Sequence, residues 1–579
     1  MATLDVLQGM RHLQLGVSRY LCELPVESYA DPSGHANFDI GRAAADGHLD
    51  VVRYLCELPV DRGVDPSADD NAAVRRAARQ GHLDVVRYLC ELPVDRGVDP
   101  SANDNATVRL AAAKGHLDVV RYLCDLPVDR GVDPSGHDNA AARWAARQGH
   151  LDVVRYLCEL SVDRGVDPSA NNNSVVGRAA AKGHLGVVRY LCELPANRGV
   201  DPSANDNATV RLAAAKGHLD VVRYLCELPV DRGVDPSADD NDAVRSAAMN
   251  GYLDVVRYLC ELPVDRGVDP SADDNFAVRS AAAQGHLDVV RYLCELHVDQ
   301  GVDPSTCDNS AVRLAGREGH LDVVRYLCEL PVDRGVDPAA ADNDTIVGAA
   351  AEGQLDVVRY LCELPVDQGV DPSAGNNFAV QSAAGEGHLD VVRYLCELPV
   401  DRGVDPSVDD NDAVLWASAQ GHLDMVRYLC DLLVDRGVDP SAAGSRAVLR
   451  AAEQGHLDVV RFLCELNVDR GVDPSAGNDA ARRAAEQGHL DVVRYLCDLP
   501  AGRGADPSAV LSEESHSDVV RYLCNTHCSA QRLSSLAPHS AIADIQQQAV
   551  TSCARSPLLA VHALVLQRRA SPLLLSICY

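Results

Sequence analysis

Histidine and cysteine are the side chains here with the widest chemical reach, and they recur together. Gly81–Leu92, Gly-His-Leu-Asp-Val-Val-Arg-Tyr-Leu-Cys-Glu-Leu, carries one of each, and near copies follow along the chain. A nucleophilic thiol needs a base within hydrogen-bonding reach. His82 and Cys90 stand about two helical turns apart. On one helix that is about 12 Å, too far for a thiol–imidazole couple. Many equivalent copies also argue for structure over catalysis. Cys524, His527 and Cys528 offer metal-binding atoms, yet no second pair follows at zinc-site spacing. The acidic loop Asp235–Asp240, with Asp239 and Asp240, lacks the glycine and bidentate glutamate of a calcium loop. The sequence thus predicts no enzyme, no cofactor and no metal.

The element that must position these residues is a repeat. Its starting glycine recurs at Gly47, Gly81, Gly115, Gly149 and onward to Gly455, always by the same step, and once more at Gly488, one position early. A fixed period of this length marks stacked helical units. In Gly81–Lys114, the stretch His82–Leu92 places Val86, Leu89, Cys90 and Pro93 at three- and four-residue steps, with Asp84, Arg87 and Glu91 opposite. That is a helix with one buried stripe. Pro93 stops it. A loop with Gly97 and Pro100 follows, and Asn103-Asp104-Asn105 can cap a second helix running to Lys114. In that helix Val108, Ala111 and Ala112 form the inward stripe, and Gly115 ends it. The predicted fold is all-α, a solenoid of stacked antiparallel helix pairs. Its expected organisation is a degenerate N-terminal capping repeat (1–46), an array of about fourteen units (47–510), a degenerate C-terminal cap (511–530) and a non-repeat tail (531–579). Within the tail, 558–577 reads as a weakly amphipathic helix, an unordered segment or a membrane-surface contact.

The chain holds 53 Lys and Arg against 85 Asp and Glu, a formal net charge of -32. No basic stripe is present, which disfavours nucleic acid and favours a basic partner surface. Of 20 cysteines, 16 occupy one repeat position, from Cys22 and Cys56 to Cys497 and Cys524. Neighbouring units about 10 Å apart keep such thiols beyond disulfide reach. They read as buried, reduced side chains, which points to a reducing, cytoplasmic compartment. The start lacks the basic and apolar regions of a signal peptide, and no run of eighteen apolar residues occurs.

The motif Ala-Ala-x-x-Gly-His-Leu-Asp-Val-Val-Arg-Tyr-Leu, as at Ala77–Leu89, resembles the ankyrin repeat, in whose terms the alanine-rich helix before the Gly-His turn is the first of the pair and His82–Leu92 the second; Gly97-Val98-Asp99-Pro100, after His82–Leu92, resembles it too. The resemblance covers most of the chain. The family's Thr-Pro-Leu-His helix start is absent; Asn105–Arg109, Asn-Ala-Thr-Val-Arg, stands there. The loop-to-helix spacing also departs from the family, which predicts irregular loops in place of β-hairpins. The resemblance implies a monomeric protein-binding scaffold whose concave face is built from first helices and loops.

Core positions hardly vary between copies, whereas outward ones drift. The residue after the capping Asn and the one four further on share a predicted outer face. That face carries Arg76, Trp144, Phe276, Phe378, Trp416, Arg450 and Arg483. Exposed aromatics and arginines are typical interface anchors. Either they contact a protein partner, or they reflect neutral drift and loop cover. The rival to a binding scaffold is a spacer without a ligand, about 140 Å long at roughly 10 Å per unit.

Overall fold

The computed structural model describes residues 40–526 apart from 59–64, 94–95, 97, 128–129, 131, 161–165, 196–197, 199, 297–300, 366–368, 433–443, 467–477, 501–503 and 511–514. The expected tail (531–579) and most of the N-terminal cap lie outside the described residues. The chain divides into two compact units, one of residues 1–281 with 288–302 and one of 282–287 with 303–579. Both are all-α, and no strand occurs among the described residues.

Each unit is a stack of helix pairs. In the first, Ala68–Gln80, Ala102–Lys114 and Gly136–Gln148 pack on one another, and each also packs on its own second helix: Leu83–Glu91, Leu117–Asp125 and Leu151–Glu159. The second unit repeats the arrangement, for example with Ala374–Glu386 on Val408–Gln420 and Leu389–Glu397 after the first of these.

The second helices form because one face is uniformly apolar. In Leu83–Glu91 the buried residues are Val85, Val86, Leu89 and Cys90, and Asp84 lies in the first turn. Asp84 Oδ1 accepts the Val85 N–H at 2.9 Å, so a carboxylate answers one free donor at the positive helix end. Full burial of each leucine contributes about 1.5–3 kcal/mol. Pro93, expected in the inward stripe, is exposed: Leu92 is already extended, so Pro93 leaves the helical face. The first helices use alanine and valine instead. Val108, Ala111 and Ala112 are fully buried, and such small residues let neighbouring first helices approach closely.

The connections are irregular, as expected. Val230–Arg232, Val264–Arg266, Val332–Arg334 and Val400–Arg402 are short 3-10 turns, and the following Gly267 and Gly335 take φ of 69° and 68°.

A second expectation is corrected. The Asn-Asp-Asn triplet caps nothing with its side chains. Asn103, Asp104 and Asn105 are themselves left-handed, at φ 57°, 54° and 59°, and the right-handed helix begins after them. Asn and Asp tolerate this conformation better than other residues with a side chain. The turn frees the Asn105 side chain to accept the backbone N–H of Asp133, in the next repeat, at 2.7 Å.

Candidate binding surface

The side chains expected to do chemistry hold repeats together. His82 Nε2 donates to Ala45 O at 3.0 Å, and His116 and His184 repeat the bond to Arg79 O and Arg147 O at 3.1 and 3.0 Å. In the second unit His456 does so to Ala419 O at 3.1 Å. Arg53 lies 5.4 Å from the Tyr88 ring centre, and Arg393 lies 5.3 Å from that of Tyr428. Arg232 and Arg402 reach back to Cys192 O and Cys362 O at 2.6 Å, each a cation at the carbonyl end of the preceding second helix. Each of these contacts joins one repeat to the next, so helical periodicity within a single repeat does not reveal them. The recurrent Gly-His pair, replaced only by Gly251-Tyr252 and Gly353-Gln354 within the array, is the one available signal.

The thiols are inert by environment. Cys90, Cys158, Cys192 and Cys226 are buried, and burial pushes each up to about 12. A thiol so shifted carries almost no thiolate at neutral pH. Among the described cysteines Cys307 is the exposed exception. Among the described residues no cluster could hold a metal ion; His527 and Cys528 lie outside them.

The predicted outer face is only partly outward. Ala72, Ala106 and Ala140, at the position after the Asn, are buried within the stack of first helices. The larger side chains are displaced outward. Trp144, Phe378 and Trp416 are 42%, 41% and 43% exposed. Phe276 is half-buried, and Arg76 and Arg450 are exposed.

The structure brings some of these residues together. The Phe378 and Trp416 rings meet edge-to-face, with centres 6.3 Å apart and planes at 90°. Gly385 makes room for this: a Cβ there would lie 3.1 Å from Trp416 Cε3. Arg450 and Arg483 both bind Glu453 at 2.9 Å. Burial opposes ionisation of Glu453, but the two arginines outweigh it and hold the carboxyl below its usual range. Trp144 stands apart under Arg147, 5.2 Å from its ring centre, and Phe276 lies under Arg245 at 5.2 Å and Arg279 at 5.9 Å. Arg76 lies over Gly41 of the preceding helix.

Arginines also tie first helices to one another. Arg211 pairs with Asp239 at 2.7 Å and Asp242 at 2.9 Å, Arg245 with Asp273 at 2.6 Å, and Arg313 with Asp344 at 2.7 Å. In every case the carboxylate belongs to the start of the next first helix.

A family model for ankyrin repeats (three copies) matches in seven overlapping stretches: 108–206, 178–274, 211–303, 245–342, 279–376, 346–442 and 430–510. The chain belongs to the ankyrin-repeat family. The glycine-histidine turns and the Val-Val-x-x-Leu-Cys stripes described above are therefore the working parts of ankyrin repeats. A solved ankyrin repeat family protein from Legionella pneumophila is 22% identical over 50% of this chain and 79% of that chain, with a TM-score of 0.23. No curated protein matches the sequence. Ankyrin-repeat proteins are scaffolds for protein–protein interaction, and the chain falls with them and not with an enzyme class. Among the described residues no helix is long and apolar enough to cross a membrane.

Proposed function

We propose that this ankyrin array is a protein-binding scaffold that presents its first-helix and loop surface to a protein partner. The observation that carries the reading is the exposed Phe378–Trp416 pair. In a chain only 4% aromatic, two large rings stand together outside the core. Clustered, partly exposed aromatics are the residues most often found to anchor interfaces. Arg450 and Arg483 lie on later first helices of the same unit, and in the other unit Arg76, Trp144 and Phe276 occupy the same two repeat positions. The net charge of -32 favours a partner with a basic face. The scaffold acts as a monomer in a reducing, cytoplasmic setting, with 1–46 and 511–530 closing its ends.

The test is affinity capture with the intact protein and with a Phe378→Ala/Trp416→Ala form. Both forms should fold, because neither ring is in the core. A specific partner should be retained by the first and lost, or weakened at least about tenfold, by the second. Equal retention by both would remove this surface from the interface. If no form retains a partner, the scaffold reading gives way to a spacer.

A further inference from the structure

The first helices carry an arginine at one repeat position, which Gly177 replaces in one copy and other uncharged residues replace in a later run. Arg75, Arg109, Arg143, Arg211, Arg245, Arg279 and Arg313 occupy one repeat position. Where the next repeat offers an acceptor, the guanidinium takes it: Arg211 takes Asp239 and Asp242, Arg313 takes Asp344, and Arg245 takes Asp273 and the Phe276 ring. After Arg313 the same position holds Val347, Gln381 and Leu415.

The acceptors nevertheless persist. Asp409 and Asp412 stand to Gln381 as Asp239 and Asp242 stand to Arg211. Gln381 is buried and donates to Asn376 O at 2.9 Å, so it offers neither carboxylate a positive charge. On the following helix Arg446 approaches Asp410 at 3.9 Å. Burial outweighs the downward pull of Arg446 on Asp412 and, with Asp409 and Asp410 beside it, holds that carboxyl above the usual range.

The rings lose their cations in the same way. Phe276 lies under Arg245 and Arg279; the corresponding residues around Phe378 are Val347 and Gln381. Trp144 lies under Arg147; the corresponding residue for Trp416 is Ala419. Three substitutions thus strip one pair of rings of every guanidinium found at its counterparts. Asp412 is half-buried, one helical turn from Trp416 on the same face, and Asp409 is exposed. Two π-faces and two carboxylates are left without the cation that these positions supply in other repeats.

We propose that the Phe378–Trp416 pair, with Asp409 and Asp412, receives an arginine side chain from the protein partner. A planar guanidinium can stack on a ring while donating to a carboxylate, as Arg245 does between Phe276 and Asp273. Lysine cannot reproduce that geometry. This inference rests on the scaffold reading and specifies what the partner inserts.

The experiment uses the full chain carrying Trp144→Phe, which leaves Trp416 as the only tryptophan of the two. Its fluorescence is followed while a short alternating Arg-Gly peptide, or the matching Lys-Gly peptide, is added. The arginine peptide should give a saturable change and bind at least about threefold more tightly than the lysine peptide. Gln381→Arg restores the internal cation and should weaken peptide binding about tenfold; Asp412→Asn should weaken it several-fold. Thermal unfolding checks that each variant is folded, and Asp412→Asn carries the test if Gln381→Arg is not. Unchanged affinity in the folded variants, no preference for arginine, or no saturable Trp416 signal would each overturn the proposal. Partner capture that survives Gln381→Arg but is lost in Phe378→Ala/Trp416→Ala overturns the arginine assignment and leaves the scaffold standing.

Discussion

The side-chain oxygen of Asn241 accepts the backbone N–H of Asp269, in the following repeat, at 2.8 Å. Asn241 is buried and left-handed at φ 63°. The same bond joins Asn71 to Asp99, Asn207 to Asp235 and Asn377 to Asp405. Asn241→Ala should cost about 1–3 kcal/mol, because it orphans a donor and puts Ala in a left-handed backbone. Asn241→Asp keeps the acceptor and should cost clearly less. Urea unfolding of the two variants checks this; equal losses would mean that the bond contributes little.

Gly115 sits at φ 79°, and a Cβ there would lie 2.5 Å from Nδ1 of His150. Gly115→Ala therefore meets both backbone strain and a ring. We expect a loss of about 2–4 kcal/mol, the sum of a left-handed penalty and overpacking. Gly115→Ala/His150→Ala should recover the overpacking part only. A double-mutant cycle with no coupling would contradict the contact.

Ala341 takes φ 53° at the first position of a left-handed triplet, where its side chain is exposed. Gly375 fills that position in the next repeat. Ala341→Gly should stabilise the protein by up to about 1 kcal/mol, since relief of the left-handed strain outweighs the added freedom of the unfolded chain. A lower denaturation midpoint would contradict it.

Burial holds the thiols of Cys90, Cys158, Cys192, Cys226, Cys362 and Cys497 at about 12, against an ordinary value of 9.0. Well below pH 9 both folded and unfolded chains keep these protons, so stability does not respond. Between 9 and 12 the unfolded chain releases protons that the folded chain retains, and stability falls as pH rises. Tyr122, pushed up from 10.0 to about 12 chiefly by burial, adds with the same sign. Denaturation midpoints should decline steadily from about pH 9 upward. At neutral pH, iodoacetamide should label Cys307 well before Cys90, Cys158 or Cys192, as read by peptide mass mapping. Fast labelling of Cys158 would mean that its face is open to water.

Much of this architecture is legible in one chain. The Val-Val-x-x-Leu-Cys stripe alone gives the core of the second helices, since a helix shows its buried face in its own spacing. Pro93 reads as inward only because the apolar pattern runs on past the end of the helix. Asn105 reads as a cap because its true partner, Asp133, lies in the next repeat, beyond any local window. Ala72, Ala106 and Ala140 read as outward because the first helices stacked around them belong to other repeats. Drift between copies signals the surface position of Trp144 and Trp416. The meeting of Phe378 with Trp416 combines one repeat period with one helical turn, and no single-helix pattern encodes that sum.

The bonds between repeats have one more property. Each joins a residue to another at a fixed step along the chain, so a copy that keeps the Asn and the His carries one half of the bond behind it and one half of the bond ahead. Recombination that adds or removes a whole copy leaves no orphaned donor at the new junction. A slip of one position is also absorbed. The short interval before Gly488 shortens the histidine step, with His489 reaching Glu453 O at 3.1 Å, yet Asn478 still accepts the Asp506 N–H at 2.8 Å. Gene length in such a protein can therefore vary by copy number while the seams between intact copies stay chemically complete.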